Sequence, residues 1–334
     1  MSKLYKVGVL GATGAVGREM LKVLEEHHFP IGELRPLASA RSAGKSITYC
    51  GENITVVETK ETAFKGLDIV LGAADKPIAV QYASSIKDAG AVFIDNSNAF
   101  RLREDVPLII PEINPDDIKW HSGLISNPNC STIITLMAVW PLAKISPIET
   151  MIASTYQAVS GAGVAGPREL LEQTNALREG KSIETKTFPR QIAYNLIPQI
   201  GGFTENGYTS EEMKMQNEGR KIMHLPEMKV TCTCVRVPVI RSHSISVTIV
   251  TKNRIEVEDA KKAISAGSGL VLRDDIANGI YPTPLDSTDQ DLVLVGRIRR
   301  DLTNENGPAL WCVGDQVRKG AATNAVQIAE LLVR

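Results

Sequence analysis

The stretch Val7-Gly8-Val9-Leu10-Gly11-Ala12-Thr13-Gly14-Ala15-Val16-Gly17 decides the fold class. Its first four residues complete a strand-like run that starts at Tyr5, apolar from Val7 onward as in a buried strand. After it, Val16, Met20, Val23 and Leu24 recur at helical spacing. Between strand and helix lies G-x-x-G-x-x-G rather than the commoner G-x-G-x-x-G. A glycine-rich turn in this setting lets backbone approach a pyrophosphate closely and aims a helix N-terminus at its charge. The glycines alone carry little information, and the flanking strand and helix give them their meaning. The reading is an N-terminal Rossmann-type nucleotide-binding domain.

Outward from this motif, strand-like runs at 33–38, 54–57, 68–72, 91–95 and 123–126 alternate with helical patterns such as 76–89. That rhythm predicts a parallel sheet covered by helices. Past about residue 127 the rhythm changes. Helices are expected at 130–144, 166–179 and 210–223, and strands at 149–159, 229–239, 244–251, 292–299 and 309–313, before a closing helix over 317–333. The second region reads as an α+β domain with a largely antiparallel sheet. The expected division is 1–128 with 315–334 for the nucleotide domain and 129–314 for catalysis and dimerisation. The Gly-rich stretch 198–208 is the best candidate for a mobile loop.

The end of the second strand bears on the choice of cofactor. An acidic residue there would bond the ribose hydroxyls of NAD. The chain reads Leu37-Ala38-Ser39-Ala40-Arg41-Ser42-Ala43-Gly44-Lys45, with no carboxylate. The hydroxyls of Ser39 and Ser42 and the planar fork of Arg41 suit a 2′-phosphate, which favours NADP. The alternative is a solvated basic turn.

Composition removes other classes. The 334 residues are 43% hydrophobic and 22% charged, ordinary for a soluble protein of two domains. A formal net charge of −1 gives no basic field for nucleic acid or an acidic membrane. No signal-like or bilayer-spanning stretch is seen, so a cytoplasmic enzyme is expected. The five cysteines, Cys50, Cys130, Cys232, Cys234 and Cys312, are scattered and odd in number, which argues against a disulfide framework. Cys232 and Cys234 sit in an alternating strand pattern with no second pair or nearby His, so no metal site is assigned.

Cys130 is different. In Ser126-Asn127-Pro128-Asn129-Cys130-Ser131-Thr132 it follows a strand, and Pro128 and Asn129 mark a helix start. A thiol in the first helical turn meets unpaired N–H groups and the positive end of the dipole, which favour the thiolate. The same N–H groups could hold an oxyanion beside the sulfur. Among the five histidines, His243 stands at a loop-strand junction beside Arg236 and Arg241 and is the candidate base. Taken alone, each of these residues also has an ordinary structural reading.

Together the motifs resemble aspartate-semialdehyde dehydrogenase nearly end to end. The matching segments are Gly11–Gly17, Asp95–Arg101, Val106–Leu108 with Pro111–Asn114, Ser126–Thr132, Tyr156–Gly163, Glu211–Ile222, Arg236–Ser244 and Gly314–Ala322. The resemblance implies reductive dephosphorylation of 4-phospho-L-aspartate to L-aspartate 4-semialdehyde. It also implies NADP as cofactor, inorganic phosphate as co-product, a homodimer, and a place in lysine, methionine, threonine and isoleucine biosynthesis. By the resemblance Cys130 is the nucleophile and forms a thioester, His243 is the acid/base and Gln157 orients the substrate. Arg236 takes the α-carboxylate, and Arg101 and Lys214 hold phosphate with Asn129 and Glu211 nearby. Cofactor contacts fall on Thr13, Gly14, Ala15, Val16, Arg41, Ser42, Ser160, Gly161 and Gln316. The family more often carries Asn at the position of Gln316 and Ser at that of Asn98. Two rival readings remain. An N-acetyl-glutamyl-phosphate reductase would usually have Gly before the cysteine and an aromatic residue after it. A non-catalytic NADP-binding regulator would not need Cys130, Gln157, Arg236 and His243 together.

Overall fold

The computed structural model describes residues 3–333. The chain divides into two compact units, Met1–Asn129 with Ala321–Arg334, and Cys130–Gly320.

In the first unit β1 (Tyr5–Leu10) leads through the glycine turn into α1 (Ala15–Glu26), and β2 (Ile31–Ala38) returns beside β1. A hairpin of β3 (Ser46–Tyr49) and β4 (Glu52–Thr55) precedes β5 (Val57–Glu58), β6 (Ile69–Gly72), α2 (Lys76–Asp88), β7 (Val92–Asp95) and β8 (Leu124–Ser126). The six-stranded sheet is parallel throughout, in the order β5-β2-β1-β6-β7-β8. Numbered within the sheet, this is 3-2-1-4-5-6, the doubly wound dinucleotide-binding order. The order reverses between β1 and β6, where a ligand crevice forms beyond the carboxyl ends of the strands. Gly11 closes that point. Its φ is +82°, and a Cβ there would stand 2.7 Å from the Ala73 carbonyl oxygen beyond β6. The expected closing helix packs in this unit: Ala322, Ala325, Val326, Ile328 and Ala329 share a core with Val7, Val9, Met20, Val23 and Ile94. Each fully buried aliphatic side chain contributes about 1.5–3 kcal/mol.

The second unit begins with α3 (Cys130–Ala143) at the expected residue. Eleven of its side chains from Ser131 to Leu142 are buried, as a helix apolar on all sides requires. There follow β9 (Ile148–Gln157), α4 (Ala165–Arg178), α5 (Ser210–Ile222), β10 (Lys229–Arg236), β11 (His243–Thr251), α6 (Val257–Ser265), β12 (Leu270–Leu272), α7 (Pro284–Ser287), β13 (Val293–Arg300) and β14 (Pro308–Gly314). The sheet order is β10-β9-β11-β14-β13-β12. β9 pairs in parallel with β10, as does β12 with β13, and the other three pairs are antiparallel. The sheet is therefore mixed rather than largely antiparallel, because long helical crossovers join β9 to β10 and return the chain in the same direction. One turn of π-helix, Arg318–Ala322, precedes α8 (Thr323–Val333), so the closing helix is shorter than its apolar pattern. Among the described residues no helix is long and apolar enough to cross a membrane.

Candidate active site

Topology brings three of the expected residues to one end of the second sheet. Gln157 is the last residue of β9, and it pairs with Arg236, the last residue of the parallel β10. His243 is the first residue of β11, antiparallel to β9, so its start lies beside the end of β9. Only this combination of directions gathers the C-termini of two strands and the N-terminus of a third.

All three side chains are buried. Gln157 Oε1 accepts from Thr155 Oγ1 at 2.9 Å, and its Nε2 lies 3.3 Å from Glu211 Oε1 on α5 and 3.4 Å from His243 Nε2. Arg236 donates through one terminal nitrogen to the Ala158 carbonyl oxygen at 2.7 Å, and its guanidinium lies 5.8 Å from the Phe188 ring centroid. Burial lowers the Arg236 pKa, while Glu211 and Cys130 push it back up. Glu211 also bonds Lys214 Nζ at 2.7 Å, one turn along the same helix. Burial, then the Arg236 cation, hold the His243 imidazole down to about 3, with Glu211 acting in the opposite sense.

Cys130 opens α3, partly exposed, and lies close enough to Arg236 to act on its charge. Behind it is Gly320, where a Cβ would come within 2.9 Å of the Cys130 Cβ. Cys232 and Cys234 are buried with sulfurs 3.6 Å apart, and burial pushes the thiol of Cys312 up, so none of the three resembles a nucleophile. Among the described residues no group of three or more His, Cys, Asp or Glu is placed to hold a metal.

Gln316 uses both ends of its amide inside the second unit. Its Oε1 accepts from Ser242 N at 2.8 Å and its Nε2 bonds Ser160 Oγ. Gly161 has the Arg236 guanidinium and the His243 ring as close neighbours, and a Cβ there would stand 2.8 Å from Arg236 Nη1. Sequence reasoning missed Gly320, and it missed Ala158, whose N–H and C=O bond His243 and Arg236. A backbone group leaves no mark in a residue pattern. Arg101 and Asn129 belong to the first unit, both nearly buried, and Arg101 Nη2 bonds the Asn96 carbonyl at 2.8 Å.

The residues around Gly11 fit a nicotinamide dinucleotide. Gly17 is packed so tightly on the turn that a Cβ would lie 2.3 Å from the Gly11 carbonyl oxygen. No side chain caps α1 among the described residues, which leaves its first N–H groups to an outside acceptor. The turn after β2 is closed by Ser42 N on Ser39 O at 2.8 Å, with Arg41 exposed upon it.

Family models for the NAD binding domain and the dimerisation domain of semialdehyde dehydrogenases match residues 6–121 and 139–319. An aspartate-semialdehyde dehydrogenase of Synechocystis sp. is 47% identical, over 100% of this chain and 98% of that protein. The chain belongs to the aspartate-semialdehyde dehydrogenase family. A second member, from Aquifex aeolicus, is 48% identical over 99% of this chain and 98% of its own. Among solved members, aspartate semialdehyde dehydrogenase II of Vibrio cholerae complexed with ASA has TM-score 0.97 at 45% identity, covering 100% of this chain and 99% of that one. The Candida albicans member, solved with NADP, has TM-score 0.76 at 26% identity, covering 99% and 98%. As an aspartate-semialdehyde dehydrogenase family member the chain is an oxidoreductase with a domain for a nicotinamide cofactor.

Proposed function

We propose that this chain carries out the reaction for which its relatives are named, converting 4-phospho-L-aspartate to L-aspartate 4-semialdehyde with NADPH, reversibly, in cytoplasmic amino-acid biosynthesis. The observation that carries the reading is the gathering of Gln157, Arg236 and His243 at one sheet end, with Glu211 bonded to Gln157 and Cys130 at the helix start. NADP over NAD is supported by the absence of any carboxylate from Ala38 to Lys45 and by Ser39, Arg41 and Ser42 in its place.

The Cys130 thiolate attacks the acyl carbon and phosphate departs, leaving a thioester. The bound nicotinamide supplies hydride to the same carbon. Arg236, its fork anchored on Ala158, grips the α-carboxylate with its other donors. Lys214 and Arg101 are assigned to the phosphate, Asn129 and Glu211 accompany them, and Gln157 orients the substrate. His243 takes the acid/base position. A homodimer is supported by Ile152 and Tyr156, which expose apolar surface from β9.

A spectrophotometric assay tests this. The purified protein is expected to reduce NADP⁺ faster than NAD⁺ with L-aspartate 4-semialdehyde, and to turn over repeatedly only with phosphate present. Activity confined to N-acetyl-glutamate semialdehyde would overturn the substrate, and a preference for NAD⁺ would overturn the cofactor.

A further inference from the structure

Asn127, just after β8, is completely buried, as are Asp95 at the end of β7 and Asn324 at the start of α8. All three lie in the first unit. A buried carboxamide needs a partner at each end, and backbone carbonyls here fix which end is which. A carbonyl oxygen only accepts. The atom of Asn324 facing Ile109 O at 2.9 Å is therefore its Nδ2 amine, which also donates to Asn127 Oδ1 at 2.7 Å. In the same way Asn127 presents Nδ2 to Ala321 O at 3.2 Å, and that nitrogen donates to Asn96 Oδ1 at 2.6 Å. The three amides thus run head to tail from Asn324 through Asn127 to Asn96, each bond polarising the next.

This chain of amides ends on the segment that carries Arg101. Asn127 N donates to Asp95 O at 2.8 Å and Asn96 N to Gly72 O at 3.1 Å, so the backbone is held as it leaves β7. Asn96 O then accepts from Arg101 Nη2 at 2.8 Å. Between them the Asp95 carboxylate accepts from Ser97 N at 3.1 Å and Ser97 Oγ at 2.6 Å, and Ser97 Oγ accepts from Ala99 N at 3.1 Å. Burial pushes the Asp95 carboxyl up, while Ser97 and then the Arg101 cation pull it back down.

Arg101 itself is nearly buried and sits on turns rather than on a helix or strand. A long side chain loses much rotamer freedom when it is ordered. An anchor set before the ligand arrives removes that cost from binding.

We propose that Asn127 and Asn324 are positioning residues for Arg101, because their amide chain holds the Asn96 carbonyl on which the guanidinium rests. This rests on the assignment of Arg101 to phosphate made above. Neither asparagine needs to touch phosphate. The closing helix α8 then has a part in the reaction besides covering the sheet, since Asn324 orders from it a loop more than two hundred residues earlier in the chain.

The test is steady-state kinetics of the full-length protein, with phosphate varied at saturating L-aspartate 4-semialdehyde and NADP⁺. Leu keeps the branched shape of Asn and has no donor or acceptor. Asn127→Leu is expected to raise KM for phosphate about tenfold, with kcat at saturating phosphate and KM for NADP⁺ near the native values. Asn324→Leu should act in the same direction by about threefold. Asn324→Ser, which keeps a hydroxyl donor, should fall between it and the native protein, and it carries the same comparison should Asn127→Leu not fold. Arg101→Ala already loses what the amides supply, so adding either asparagine change to it should alter KM for phosphate less than about twofold. A native KM for phosphate in the asparagine variants would overturn the proposal. So would equal rises in KM for phosphate and for NADP⁺, or an undiminished increment in the Arg101→Ala background. Arg101→Ala with a native KM for phosphate would instead overturn the assignment of Arg101 itself.

Discussion

A Cβ placed on Gly320 would stand 2.9 Å from the Cβ of Cys130, so the π-turn before the closing helix forms the back wall of the thiol. Nothing lies between them to absorb an added methyl. Gly320→Ala should therefore displace the first turn of α3 and its sulfur. The expected cost is about 1–3 kcal/mol of stability from overpacking, together with slower alkylation of Cys130 and a fall in kcat. Thermal unfolding and thiol labelling on the same sample check it, and a variant with native labelling rate would show that the wall gives way.

Cys130→Ala removes the nucleophile without touching the glycine turn at Gly11. It is expected to bind NADPH with native affinity, measured by fluorescence titration, and to show no turnover. Native-like turnover would remove Cys130 from the chemistry.

The buried His243 makes stability depend on pH. In the unfolded chain its imidazole titrates near the usual 6.5, whereas in the fold burial holds it down to about 3. Between these values the unfolded state binds a proton that the folded state refuses, so stability falls as pH falls below about 6.5. Relative to His243→Gln, in which other groups cancel, the native protein should lose about 2 kcal/mol between about pH 7 and about pH 5. Urea midpoints of both proteins at the two pH values provide the measurement, and parallel losses would contradict the buried neutral ring.

Arg41 lies exposed on the turn after β2, where solvent weakens its charge. Arg41→Ala is expected to raise KM for NADP⁺ about tenfold and leave KM for NAD⁺ nearly unchanged. Equal effects on both cofactors would place Arg41 away from the 2′-phosphate.

Much of this was legible in the residues, for reasons that differ from place to place. The turn at Gly11 was readable because its demands are local: positive φ, a close carbonyl, and a helix just beyond. The start of α3 at Cys130 was readable from Pro128 and Asn129. The strand Ser46–Tyr49 was missed, and 54–57 was expected as one strand where Glu52–Thr55 and Val57–Glu58 form, because such short, half-exposed strands carry almost no hydrophobic period. The parallel pairing of β9 with β10 was missed although the helices between them signalled a crossover. The roles of Gly320 and the Ala158 amide lie in contacts between residues far apart in sequence, one across the helix start and the other across two strand ends.

The covalent route through Cys130 is tested most directly by omitting phosphate. With L-aspartate 4-semialdehyde and NADP⁺ alone, oxidation should stop at the acyl-enzyme. Intact mass spectrometry is then expected to show one aspartyl adduct per chain, mapped to the peptide holding Cys130, with about one NADPH formed per chain. Adduct-free protein with NADPH formed only once phosphate is added, or an adduct on another residue, would contradict it.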